Sequence, residues 1–202
     1  MDEIVKQAMA KWPNVPHCYG WLLLDARGAW RMRDERTQAL QRPGDKIINP
    51  ALIEFIGRNY THDERGQWYF QNGPQRVYVD LEATPFVAHI DPANGLMLHT
   101  AERLSKIDSV LMTESGQLIL LGMGKVALMD DRDLAACFEE LQIENKAPTE
   151  EALFAWLDGS RTSESMTWKY QGRRYPVSRI PHEDLPERFN YIQRPRDKLS
   201  TD

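Results

Sequence analysis

At 202 residues, with a net charge of −5, 42% apolar residues and 27% charged residues, the chain has the make-up of a globular protein of one domain or two small ones. Basic and acidic residues are interspersed, which excludes nucleic acid as the main partner, because neutralising phosphates requires a clustered basic surface. Two distant cysteines allow at most one disulfide, the start Met1-Asp2-Glu3 is acidic where a signal peptide is basic, and no apolar run approaches the ~20 residues of a membrane span. A cytoplasmic protein without a membrane partner is expected.

Ile4, Ala8 and Trp12 recur at four-residue spacing beside Val5 and Met9, which predicts a helix near residues 3–12, ended by Pro13 and Pro16. Cys18–Asp25 and Ala29–Asp34 read as hairpin arms around Asp25-Ala26-Arg27-Gly28. Asn49 as N-cap, Pro50 at the first helical position and an Ile48–Ile53 staple predict a helix near residues 50–58. Leu52, Phe55, Ile56 and Tyr60 give its apolar face, and Asn59 a left-handed stop. Strands come next at Gln67–Gln71, Gln75–Glu82, Pro85–Ile90 and Leu96–Thr100, the last two joined by the turn Asp91–Gly95.

Ser109–Thr113, Gln117–Leu121 and Lys125–Met129 read as a meander with a tight turn at Gly122-Met123-Gly124. A helix near residues 131–141 is capped by Asp130 or Asp131, with Leu134, Cys137, Phe138 and Leu141 on one face. Another, near residues 150–157, starts at Thr149 and stops at Gly159. A final hairpin pairs Met166–Tyr170 with Arg173–Ile180 around Gln171-Gly172. The tail from Pro181 is expected to wrap the surface and to fray beyond about Lys198. The fold class expected is α+β, predominantly β, built of repeated hairpin motifs with a few short helices. Its halves are residues 1–100 and 101–202.

One turn pattern occurs three times, as Asp25-Ala26-Arg27-Gly28-Ala29-Trp30, Asp63-Glu64-Arg65-Gly66-Gln67-Trp68 and Thr113-Glu114-Ser115-Gly116-Gln117-Leu118. Asp or Thr at the first position can accept a backbone N–H further along. Gly at the fourth adopts positive φ, and the Trp or Leu after it returns to a buried face. The repeat is scaffolding by this reading.

The second copy stands apart from the others in the strand pair it leads into. Alternation along Gln67–Gln71 and Gln75–Glu82 places Trp68, Phe70, Val77, Val79 and Leu81 on a core face. Gln67, Tyr69, Gln71, Arg76, Tyr78 and Asp80 fall on the other. In Gln71-Asn72-Gly73-Pro74, Pro74 cannot donate the closing hydrogen bond, which leaves the Gln71 carbonyl open and the register loose. Tyr69, Gln71, Asn72, Gln75, Arg76 and Tyr78 are therefore the candidate ligand-binding residues, for a carboxylate or another small polar or anionic ligand. The plainer alternative is a solvated hairpin with a loosened turn.

Other chemistry is not signalled. His89 and His99 point to opposite faces if Ala88 opposes His99, and no histidine or cysteine pair has metal-ligand spacing. Gly122-Met123-Gly124-Lys125 lacks the spacing of a phosphate loop, and Cys137 on an apolar helix face reads as a packed thiol. No catalytic residue, metal or cofactor is expected. The functional expectation is a small-ligand-binding or signalling module. A protein-interaction scaffold using exposed aromatics and the tail comes second, and an enzyme third.

The run Asp63–Phe70 continued by Arg76–Ala88 resembles an uncharacterised proteobacterial family, the domain of unknown function catalogued as twelve-eighty-five, or a relative of it. The shared elements are the Asp-x-x-Gly-x-Trp turn, an apolar strand and Glu82-Ala83-Thr84-Pro85-Phe86-Val87-Ala88. The resemblance implies a β-rich fold of repeated motifs with a part in ligand sensing or signal transduction. It carries over no catalytic residues.

Overall fold

The computed structural model describes residues 1–160 and 164–197. The protein is α+β with β predominating. Its first elements are α1 (Glu3–Lys11), β1 (Cys18–Leu24), β2 (Trp30–Met32), α2 (Glu35–Ala39), β3 (Asp45–Lys46), α3 (Pro50–Arg58), β4 (Tyr60–His62), β5 (Trp68–Asn72) and β6 (Gln75–Leu81). They are succeeded by β7 (Phe86–Asp91), β8 (Gly95–Leu98), β9 (Ser109–Met112), β10 (Leu118–Gly122), β11 (Lys125–Met129), α4 (Leu134–Glu139), β12 (Leu141–Ile143), α5 (Glu150–Leu157), β13 (Met166–Tyr170), β14 (Arg173–Arg179) and α6 (Leu185–Arg188).

Two units result. The first comprises Met1–Pro85, His99–Glu102 and the described tail from Phe189; the second comprises Phe86–Leu98 and Arg103–Arg188. The expected halves divide the chain once, near residue 100. The tail returns to the first unit because its backbone is bonded there: Ile192 bridges Gln67 in parallel, and Leu81 N donates to Gln193 O at 2.7 Å. The expected fraying beyond Lys198 lies outside the described residues.

The first unit holds a six-stranded sheet in the order β3-β2-β1-β6-β5-β4, and the second an eight-stranded sheet in the order β12-β13-β14-β9-β10-β11-β7-β8. Both contain one arrangement. In the first, the antiparallel meander β4–β5–β6 ends parallel to β1, whose hairpin partner is β2. In the second, β9–β10–β11 ends parallel to β7, whose hairpin partner is β8. The repetition legible in the turns thus extends to a five-strand module. Leu118, Ile119 and Leu120 are fully buried, as expected for a central strand covered on both faces.

The three repeated turns share one geometry. Gly28, Gly66 and Gly116 stand at φ of 77°, 75° and 80°, and each donates its N–H to the carbonyl of the first turn residue. Asp25 Oδ1 accepts from Ala29 N at 2.8 Å, Asp63 Oδ1 from Gln67 N at 3.0 Å, and Thr113 Oγ1 from Gln117 N at 3.1 Å. A left-handed glycine after a type I turn leads straight back into the antiparallel ladder.

Several local expectations are corrected. Val5 is the buried residue of α1, while Ile4 is 72% and Trp12 51% exposed. Asn49 does cap α3, accepting from Leu52 N, but Ile48 is exposed and forms no staple. Asn59 is not left-handed, with φ of −112°; its side chain closes the helix by donating to Phe55 O at 2.9 Å. Ala88 opposes Leu98 rather than His99, because Asp91 pairs with Gly95 across a three-residue loop. His99 lies beyond β8 and packs against Trp30, with ring centroids 5.1 Å apart.

Candidate anion-binding site

On β6, Arg76, Tyr78 and Asp80 alternate to one face. That face is not solvated as the alternation suggested: Tyr69, Gln71, Tyr78 and Asp80 are all buried. Tyr69 and Tyr78 oppose each other across β5 and β6, with ring centroids 5.5 Å apart. Tyr19 of β1 stacks on Tyr78 at 4.5 Å and 3°. The Arg76 guanidinium lies 4.7 Å over the Tyr69 ring. Burial, with a smaller contribution from the neighbouring Tyr78, pushes the Tyr19 hydroxyl up to about 12.

Tyr78 donates its hydroxyl to Asp63 Oδ2 at 3.1 Å, which ties this face to the second repeated turn. Burial alone would raise the Asp63 carboxyl. The N–H groups of Gln67 and Arg65 and the Tyr78 hydroxyl outweigh it and hold the group below its ordinary value.

The structure therefore separates the six candidate residues. Tyr69, Arg76 and Tyr78 come together, while Gln71, Asn72 and Gln75 surround the hairpin turn. There the Gln71 amide donates to Gly73 O at 2.9 Å, the Gln75 amide donates to Pro16 O at 3.1 Å, and Asn72 is exposed. The register is not loosened. Asn72 pairs with Gln75, so Gly73 and Pro74 are the two corner residues, and Gly73 takes φ of 56°. Pro74 lacks its N–H where a two-residue turn asks for no donor.

The cavity on this face opens one step further along β6, at Asp80. The Asp80 carboxylate is paired with the Arg33 guanidinium, both nearly buried, and Arg33 also donates from Nε to Gly20 O at 3.0 Å. Arg196, arriving on the tail, reaches the other Asp80 oxygen at 3.4 Å and donates to Pro195 O at 2.8 Å. Around this pair lies a cavity of about 480 Å³ walled by Tyr19, Gln38, Gln41, Arg42, Glu82 and Arg194. Four arginines, Arg33, Arg42, Arg194 and Arg196, and two acids, Asp80 and Glu82, thus line the cavity, and Arg33 and Arg196 are the two that pair with Asp80. Among the described residues, Arg42 and Arg194 make no ion pair. Planar forks of this kind suit carboxylate or phosphate oxygens.

Sequence reading missed Arg33, Arg42, Arg194 and Arg196. One local signal existed: Asp80 interrupts the apolar run of β6, and a charge there demands a cation. Which cation is not local, since Arg33 is 47 and Arg196 is 116 residues away.

The family model DUF2944, described as "Protein of unknown function (DUF2946)", matches residues 1–196. The chain belongs to this family. Among solved structures, a DUF1285 family protein from Silicibacter pomeroyi DSS-3 is similar at 13% identity and a TM-score of 0.48, covering 92% of this chain and 98% of that one. That is the family which the Asp63–Ala88 run resembles. No curated protein matches the chain. No described helix is long and apolar enough to cross a membrane, and no described group of three His, Cys, Asp or Glu side chains could hold a metal ion.

Proposed function

We propose that the protein is a cytoplasmic binding module for a small anionic ligand, held in the arginine-walled cavity of its first unit and serving a regulatory or signalling role. The observation that carries this reading is charge placement: four arginines and only two acids line one cavity in a chain whose net charge is −5. Burial of the Arg33–Asp80 pair fixes the floor of the cavity, and Arg42 and Arg194 extend from its rim. Tyr69, Arg76 and Tyr78 support that floor by holding Tyr19 and β6 in place. Thermal melting with inorganic phosphate and with citrate tests the reading. Stabilisation that grows with ligand concentration is expected in the wild type and is lost in Arg42→Ala/Arg194→Ala. Equal melting of both proteins with and without either anion would refute it.

A second reading, docking of a protein partner, is favoured by the exposure of Ile4 and Trp12 on α1. A pulled-down partner that is lost in Ile4→Glu/Trp12→Glu, with anion binding intact, would support it.

A further inference from the structure

We infer that the anion taken by this cavity is a nucleoside monophosphate, an inference that rests on the anion-binding reading above and specifies its ligand. Three features of the cavity wall converge on that class. The first is charge. The four guanidinium groups less the two carboxylates leave two positive charges, which a phosphate monoester near neutral pH matches at about −1.5 to −2. The acids are already engaged by other groups: Asp80 pairs with Arg33 and Arg196, and Glu82 accepts from Ala26 N at 3.0 Å. Arg42 and Arg194 are left to meet the phosphate.

The second feature is a fixed aromatic wall. Tyr19 lines the cavity, and its ring plane is held by stacking on Tyr78 at 3°. Tyr78 is anchored in turn through its hydroxyl to Asp63. A pre-oriented ring is a platform for a planar base, and a bare anion or a flexible dicarboxylate has no planar group to stack on it.

The third is the pair of side-chain amides, Gln38 and Gln41, on the same wall. Gln38 is held in place by donating to Arg33 O at 3.2 Å, and the second N–H of its amide remains for a base edge or a ribose hydroxyl. A volume of about 480 Å³ falls in the range of small-molecule sites and has room for a single nucleotide.

Calorimetric titration of the full chain with inorganic phosphate, AMP, GMP, adenosine and succinate tests this. AMP or GMP is expected to bind at least tenfold tighter than either inorganic phosphate or adenosine. Tyr19→Leu is expected to abolish that preference while keeping phosphate affinity, and Tyr19→Phe to retain it. Arg194→Ala is expected to weaken phosphate and nucleotide alike. If phosphate or succinate binds and neither nucleotide is preferred in the wild type, the nucleotide inference fails while the anion site stands. If none of the five ligands binds, both readings fail.

Discussion

Asp80 shows what one buried charge demands. Two guanidinium groups converge on a carboxylate that is only 7% exposed as a side chain. Asp80→Ala would leave Arg33 buried without a counter-ion, and urea unfolding should show a loss of about 3–5 kcal/mol. The double variant Arg33→Met/Asp80→Leu should recover most of that stability, because a pair of well-packed apolar side chains removes the desolvation cost altogether. Asp63 behaves differently, since its partners are mainly N–H groups of its own turn. Its folded pKa is depressed, so the stability it contributes is complete above the ordinary carboxylate value of 3.8 and is lost as pH falls below it. Asp63→Asn should flatten the acid limb of a melting-temperature profile, and Asp63→Ala should cost about 1–2 kcal/mol at neutral pH. The Asp63 turn was legible in the sequence because its backbone bonds all lie within four residues. The Arg33–Asp80 pair was not, because only the parallel pairing of β1 with β6 and the β1–β2 hairpin bring those residues together.

Among elements, the hairpins were readable wherever a turn residue fixed them, as at Gln171-Gly172 and at the three repeated turns. The loop joining β7 to β8 was placed one residue out, because the sequence did not reveal which donors Asp91 would serve. Its carboxylate takes the N–H groups of Ala93 and Asn94, which tightens the loop to three residues. Edge elements such as α2, β3 and β4 are too short for a periodic signal and went unseen. The tail was expected as a wrap, and its described part is a strap bonded to the first unit through the Gln67–Ile192 bridge and the Leu81–Gln193 bond. It crosses the second repeated turn so closely that a Cβ added at Gly66 would overlap the Asn190 carbonyl oxygen. Gly66→Ala therefore strains both the turn and the strap. Limited trypsin digestion should cleave this variant after Arg196 well before the wild type, with a melting temperature several degrees lower.

For the whole molecule, the duplicated five-strand module explains why α+β with β predominating could be read from turns alone, while the site could not. The module supplies only part of the cavity. It forms where α2 and the strap are added to β1 and β6 of the first copy. A chain ending at Gln193 keeps the Leu81–Gln193 backbone bond but loses Arg194 and Arg196. Such a chain should retain its circular dichroism spectrum and lose stabilisation by phosphate, which scanning calorimetry would resolve.

The strap also sets an order of events during synthesis. The whole second unit, which lies within residues 86–188, leaves the ribosome before Arg194 and Arg196 do. Domains ordinarily mature from the N-terminus onward. Here the first unit to emerge is the last to be finished, and its cavity acquires half of its cations only after the second unit has been made.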